Sequence, residues 1–164
     1  MKRVMIVLVF AVLISGVFGS EAADGAKPAE LVAGGYEVMV GTWTPGQGNI
    51  EPGGKIRNWS AVYETTLFGP AGEVASGTGP VTMNCNLDSG LTGPCWGTLE
   101  FSNETGTWVG TWHGSFNFAT GAGSYQAVAH GKGGLRGLVL KSDVVYPGYA
   151  AVGSGTGYIY STVR

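Results

Sequence analysis

The segment from Thr107 to Phe118, TWVGTWHGSFNF, constrains the fold more than any other part of this chain. Beginning at Trp108, every second residue is aromatic or glycine, whereas the residues between them are mostly polar. Because successive side chains of a strand point to opposite faces of its sheet, this alternation predicts a long strand with one buried, aromatic face. Gly110 and Gly114 lie on that face, where a missing side chain lets a neighbouring ring cover the backbone and lets the strand coil. The segment therefore predicts a strongly curved antiparallel sheet.

Strand patterns recur along the rest of the chain, separated by turn sequences rich in Gly, Pro and Asn. After the N-terminal apolar run, no segment shows an apolar repeat of the helical period. Short strands at regular spacing predict an all-β fold, and we expect a single antiparallel barrel of about eight strands because closure removes exposed edges. The predicted strands are 36–43, 58–68, 74–87 with an interruption at 77–80, 95–102, 107–118, 124–132, 135–146 and 155–163.

The N-terminus carries the pattern of a secretory signal peptide. Lys2 and Arg3 precede an apolar run over 4–18, which is shorter than the roughly 20 residues that a membrane-spanning helix requires. Cleavage after Gly19 or after Ala22 fits the small residues that follow, and we place the boundary at residue 22. The sequence thus predicts a signal peptide over 1–22, a flexible lead over 23–34 and the barrel over 35–164. The alternative is a retained membrane anchor.

Composition and charge exclude several classes of partner. The chain has 9 Lys and Arg against 11 Asp and Glu, and its basic residues form no cluster after the signal peptide. Nucleic acid and anionic membrane surfaces are therefore not expected partners. Although 30 glycines and a low charge are compatible with disorder, 5 Trp, 7 Tyr and 6 Phe indicate a folded chain. We expect a secreted or periplasmic protein that leaves the membrane after cleavage, and the sequence leaves its oligomeric state open.

Cys85 and Cys95 are the only cysteines, and both follow the predicted signal peptide. In an exported chain they predict a disulfide between neighbouring strands. A loop of this length stabilises a fold by about 2.5–3 kcal/mol in the chain-entropy account. Metal binding is the alternative, but two thiols without a clustered third ligand make a poor site, so we expect no metal and no cofactor.

The aromatic face of the long strand is the predicted ligand-binding surface. An eight-stranded barrel is wide enough to hold one small ligand, and ligand pockets are mostly apolar. We therefore predict that the barrel binds a small apolar molecule without catalysing a reaction, and we assign no catalytic residue. The predicted ligand-binding residues are Trp108, Trp112, Phe116 and Tyr125.

Two titratable residues are possible polar members of the pocket. His113 lies on the polar face of its strand with Thr111 and Ser115, and Glu64 alternates with Tyr63 and Thr65. If the aromatic faces turn inward, alternation places both His113 and Glu64 at the surface. If His113 and Glu64 point inward instead, either residue could act as a general acid or base.

The segment over 116–140, FNFATGAGSYQAVAHGKGGLRGLVL, resembles the second half of the small eight-stranded barrels of the allene oxide cyclase and dirigent type. In those proteins a strand ends in a G-x-G-x-Y turn and the next stretch carries G-x-G-x-x-x-G. The resemblance implies a barrel that binds or acts on small apolar molecules, as a cyclase, as a director of phenoxy radical coupling or in an unknown role. We carry no functional acid or tyrosine of that family over to a residue of this sequence. The matching residues are Gly121, Gly123, Tyr125, Gly131, Gly133 and Gly137.

Two other functions remain open at this point. One is an isomerase or cyclase of the resembled type that uses His113 or Glu64. The other is a carbohydrate-binding or structural envelope module, in which Trp43, Trp59 or Trp96 would form an exposed stacking platform. The direction of each strand face separates these alternatives.

Overall fold

The computed structural model describes residues 29–32, 34–39, 50–51, 54–148 and 152–162. These residues form one antiparallel sheet and contain no helix. They therefore include no helix that is long and apolar enough to span a membrane. The strands are β1 (Glu30–Val32), β2 (Gly34–Met39), β3 (Ile50–Glu51), β4 (Lys55–Gly69), β5 (Gly72–Asn86), β6 (Thr92–Ser102), β7 (Gly106–Asn117), β8 (Ala122–Gly133), β9 (Leu138–Tyr146) and β10 (Gly153–Ser161).

The sheet closes on itself. From β4 to β10 each strand pairs with the next, and β10 returns to pair with β2, which pairs with β4. β1 and β2 both pair with β10 and lie end to end along it, so together they occupy one position of the ring. β3 adds a two-residue pairing to the start of β4. The prediction of an all-β antiparallel barrel of about eight strands is confirmed.

The two glycines of the aromatic strand allow close packing against β8. A Cβ atom on Gly110 would lie 2.0 Å from the carbonyl oxygen of Val128, and one on Gly114 would lie 2.0 Å from that of Ser124. Real Cβ atoms do not approach backbone atoms this closely, so any larger residue at these two positions would push β7 and β8 apart. Glycine is therefore what permits the tight curvature predicted for this segment.

The strand boundaries depart from the sequence prediction in several places. β5 is continuous across 77–80. A Cβ on Gly79 would lie 2.1 Å from the carbonyl oxygen of Glu100, so this glycine allows close packing against β6 and does not break the strand. The sheet begins at Glu30, inside the predicted flexible lead, since Val32 is fully buried against the barrel interior. β3 was not predicted, and β9 begins at Leu138 rather than at residue 135. The predicted signal peptide, Trp43 and residue 163 lie outside the described residues.

The barrel has two unlike halves along its axis. The closed half, at the end where β1 begins and β10 ends, is filled by side chains, and Leu135 in the β8–β9 turn is packed against it. The open half is the opposite end, where the β5–β6, β7–β8 and β9–β10 connections lie. The closed half is filled by large and small apolar side chains that pack together, namely Val32, Leu67, Ala75, Phe101, Trp108, Ala129, Leu140 and Ile159.

The two cysteines join β5 and β6 in the open half. Cys85 and Cys95 are directly paired across the strands, their Sγ atoms are 2.09 Å apart, and both side chains are buried. The predicted disulfide is therefore present. It links the strands that flank the 87–91 turn at the rim of the barrel.

Candidate functional site

The open half contains a cavity of about 700 Å³. A volume of this size lies within the range of pockets for small ligands, which are concave and mostly apolar. The strands supply the walls, and the turns at the open end supply the rim through Leu87, Leu91 and Phe118. The walls are largely aromatic and aliphatic, namely Ile56, Trp59, Tyr63, Val81, Met83, Leu99, Trp112, Phe116, Tyr125 and Tyr146.

Four rings on β7, β8 and β9 form a continuous aromatic wall, which consists of Trp112, Phe116, Tyr125 and Tyr146. The ring centroids of Trp112 and Tyr125 are 5.4 Å apart, and those of Tyr125 and Tyr146 are 6.4 Å apart. Phe116 contacts Tyr125 and Tyr146 with centroid distances of 6.4 and 6.1 Å. Because these rings pack on one another along the wall, the space beside them remains open.

Glu37 lies at the inner end of the cavity. It sits on β2, where its Cα pairs with Thr65 of β4 and with Gly153 of β10, and only 6% of the residue is exposed. The Tyr146 hydroxyl donates a 2.6 Å hydrogen bond to Glu37 Oε2, and the Tyr125 hydroxyl donates to the same oxygen. Thr65 Oγ1 donates to Glu37 Oε1 at 3.2 Å. Three hydroxyl groups from three strands thus hold one carboxyl group inside an apolar barrel.

Burial shapes the acid–base properties of this cluster. Desolvation raises the pKa of the Glu37 carboxyl above its ordinary value of 4.5, and the hydrogen bonds from Tyr125, Tyr146 and Thr65 oppose that shift. Burial, reinforced by the charge of Glu37, raises the pKa of Tyr63 to about 12 and raises the pKa values of Tyr125 and Tyr146 as well. The three phenols therefore keep their protons at neutral pH.

No basic side chain balances this carboxyl group among the described residues that line the cavity. The sequence over 40–53, which connects β2 to β4, also contains no Lys, Arg or His. A buried carboxylate without a cationic partner is costly, and the hydroxyl donors around Glu37 meet that cost only in part. The inner end of the cavity is thus negative or protonated, and rich in hydrogen-bond acceptors.

Three of the four predicted ligand-binding residues line the cavity. Trp112, Phe116 and Tyr125 are in its walls. Trp108 is not, although it shares their strand face: it is 0% exposed and packs against Phe101 in the closed half, with ring centroids 6.2 Å apart. Trp108 thus lies deeper than the cavity. Alternation gives the face of a residue but not its depth along the barrel.

The two possible polar pocket residues lie on the outer surface. His113 pairs with Trp96 and Gln126 on outward faces, and it is exposed. Glu64 lies between the inward residues Tyr63 and Thr65 and accepts a 3.5 Å hydrogen bond from the hydroxyl of Tyr36 on the same outer face. Neither side chain lines the cavity, and this is the position that alternation gives them when the aromatic faces turn inward.

The predicted stacking platform of tryptophans is not assembled in the described residues. Trp59 lines the cavity instead of the surface. Trp96 is on the outside and 39% exposed, with the Arg57 guanidinium 5.6 Å from its ring centroid. Trp43 lies outside the described residues. A single exposed indole covered by an arginine offers little area for a sugar ring.

Sequence reasoning missed Glu37, and strand alternation explains why. In the sequence, Tyr36 and Val38 form the more apolar set of that strand, which assigns Glu37 to the solvent side. The structure reverses this, with Glu37 inward and Tyr36 outward. The available signal lay elsewhere: Tyr63, Tyr125 and Tyr146 fall on inward faces, and buried phenols require a hydrogen-bond acceptor.

The described residues contain no group of three or more His, Cys, Asp or Glu side chains that could hold a metal ion. Comparisons of the chain with protein-family models, with curated proteins and with solved structures give no match. The geometry of the cavity is therefore the basis for a functional proposal.

Proposed function

We propose that this protein is an exported binding protein that encloses one small, largely apolar molecule in the open half of its barrel. The observation that carries the proposal is the cavity of about 700 Å³, bounded by an aromatic wall and reached through the rim of turns. Such a volume beside a well-packed closed half is costly to maintain in an apolar core, because unfilled space loses contact energy. A bound molecule would recover those contacts.

Export is part of the proposal and has separate support. The disulfide between Cys85 and Cys95 is the form that cysteines take in oxidising compartments, so it is compatible with an extracellular or periplasmic location. The predicted signal peptide over 1–22 points the same way. Intact-mass measurement of the protein from its own host would test cleavage after residue 22 or residue 19. The resemblance of 116–140 to allene oxide cyclase and dirigent barrels remains a prediction that fits the same type of ligand.

A fluorescent apolar probe tests binding directly. N-phenyl-1-naphthylamine brightens in apolar surroundings, and we expect saturable enhancement with one site per chain. In Val81→Trp the added indole would extend from β5 into the cavity and displace the probe. The dissociation constant of the probe should therefore rise at least about tenfold, which corresponds to about 1.4 kcal/mol.

The matched control is Val128→Trp, which makes the same change on the outer face of β8, where the valine is 37% exposed. It should bind the probe like the unmodified chain. Equal binding by all three proteins would contradict the interior site, and an absence of probe binding to the unmodified chain would contradict the function.

A second candidate is a proton-transfer isomerase or cyclase that uses Glu37. The specific observation in its favour is a carboxyl group of raised pKa, hydrogen-bonded by two phenols and open to an apolar cavity. Groups of this kind serve as general acids or bases near neutral pH. Mass spectrometry of molecules retained by the unmodified chain and by Glu37→Gln would separate the candidates. A binder retains the same molecule in both proteins, whereas a catalyst retains a chemically changed molecule only when Glu37 is present.

A further inference from the structure

We infer that the cavity selects an apolar molecule that carries a protonated amine, with the cationic nitrogen seated against Glu37. This inference rests on the proposed function and names the class of ligand. It follows from three features of the inner end of the cavity: the direction of its hydrogen bonds, its unbalanced charge and its aromatic wall.

The hydroxyl groups of Tyr125, Tyr146 and Thr65 already direct their hydrogens to Glu37 and leave acceptor capacity around it. A phenol has a single O–H donor, and Tyr125 and Tyr146 both direct theirs to Glu37 Oε2. Their oxygens keep lone pairs, and the carboxylate oxygens keep acceptor capacity beyond the bonds that they already receive. A ligand group that completes this arrangement must therefore donate hydrogen bonds. Ammonium groups donate up to three, whereas ethers, ketones and carboxylates donate none.

Charge distinguishes an ammonium from a neutral hydroxyl. Glu37 is the only Asp or Glu among the described residues that line the cavity, and no Lys, Arg or His accompanies it there. A cation would supply the missing partner in a site of low dielectric, where an ion pair with good hydrogen bonds is strong. The same argument excludes a carboxylate ligand, because two negative groups would share one desolvated space. The raised pKa of Glu37 is the direction expected of a carboxyl group that still lacks this partner.

The aromatic wall adds attraction for a positive charge. Tyr125 and Tyr146 contact Glu37 through their hydroxyl groups, and their rings continue into those of Phe116 and Trp112. Aromatic faces attract cations, and aromatic cages recognise alkylammonium groups in other proteins. The wall would thus stabilise the nitrogen and the first carbons of a ligand, while the wider part of the cavity takes its apolar body.

Three ligands of equal chain length test this inference on the unmodified protein. Octylamine, 1-octanol and octanoate are respectively cationic, neutral and anionic at neutral pH. Quenching of the cavity tryptophans or calorimetry should give octylamine a dissociation constant at least about tenfold below that of 1-octanol, with octanoate the weakest. Equal affinity for octylamine and 1-octanol, or tighter binding of octanoate, would overturn the inference. In those cases binding itself would persist, so the proposed function would stand. If none of the three binds, both fail.

Variants then assign the preference to a residue. In Glu37→Gln the ratio of octylamine to 1-octanol affinity should fall to near one. Glu64→Gln makes the same change on the outer face and should leave the ratio as in the unmodified chain. A preference for octylamine that survives Glu37→Gln would overturn the assignment. The ligand ranking in the unmodified protein remains decisive if Glu37→Gln does not fold.

Discussion

The closed and open halves of this barrel use the same strands and the same inward faces, yet one half is filled and the other is hollow. In the closed half, Trp108 and Phe101 meet across β6 and β7, and Leu135 is packed against the barrel end. In the open half, the rings of Phe116, Tyr125 and Tyr146 pack along one wall and leave the space beside them free. The direction in which large side chains pack therefore decides whether the interior of an eight-stranded barrel is filled by side chains or keeps a cavity.

Glu37 marks the boundary between the two halves. An apolar side chain there could extend the packed core further into the barrel. The carboxyl group instead requires polar partners, and three hydroxyl groups converge on it from β4, β8 and β9. This cluster of Glu37, Thr65, Tyr125 and Tyr146, which we call the polar floor, ends the apolar packing at the inner end of the cavity.

The largest expected effect contrasts one aromatic residue from each half. Trp108→Ala should lower the free energy of unfolding by about 3–5 kcal/mol, because it empties a fully packed site. Phe116→Ala should cost only about 1–2 kcal/mol, because its ring already borders open space. Urea denaturation of both variants measures the difference. Similar losses would mean that the open half is packed as tightly as the closed half.

The disulfide gives the next largest effect, and it acts on the open half. Replacing Cys85 and Cys95 together by alanine should lower the free energy of unfolding by about 2.5–3 kcal/mol, because the unfolded chain regains the freedom of the enclosed loop. Denaturation of this variant, with the oxidised unmodified chain as the reference, provides the measurement. An unchanged midpoint would show that the fold holds this rim without the covalent link.

The polar floor should carry a pH-dependent cost. The folded-state pKa of Glu37 is raised above 4.5, so the folded protein binds this proton more tightly than the unfolded chain does. Stability is therefore full below about pH 4.5 and decreases as the pH rises through the folded-state pKa. Glu37→Gln removes that decrease and should be more stable than the unmodified chain at neutral pH by about 1–3 kcal/mol, the range for a desolvated polar group.

Denaturation midpoints across a pH series would measure this cost, with Glu64→Gln as the surface control. The gap between Glu37→Gln and the unmodified chain should narrow as the pH falls toward 4.5. A gap that is constant at all pH values would contradict the role of ionisation.

The sequence predicts which face of a strand turns inward, but it does not predict which half of the barrel an inward side chain occupies. Alternation in 107–118 correctly predicts the inward aromatic face, and the strand and turn patterns along the whole chain correctly predict the barrel, since each pattern is local. It cannot separate Trp108 from Trp112, because the residues that fill one end, such as Val32 and Leu135, come from distant parts of the chain. The inward position of Glu37 is not predicted for a related reason. The apolar residues of its strand indicate the opposite face, and only the buried phenols of other strands explain why the carboxyl group lies inside.

The smallest expected effect is a spectroscopic one that reports on the polar floor from β4, the strand that pairs with the strand of Glu37. Burial, followed by the charge of Glu37, raises the pKa of Tyr63 from 10.0 to about 12, so this phenol should ionise late in an ultraviolet titration, and its contribution to stability should be lost as the pH rises from 10 through 12. Tyr63→Phe identifies the signal. In Glu37→Gln the transition should move to lower pH and yet stay above the ordinary value, because desolvation is the larger of the two causes. A complete return to 10.0 would reverse that order and make charge the main determinant of the site. No movement at all would mean that Tyr63 does not sense the carboxylate, and the floor would then be divided between independent groups.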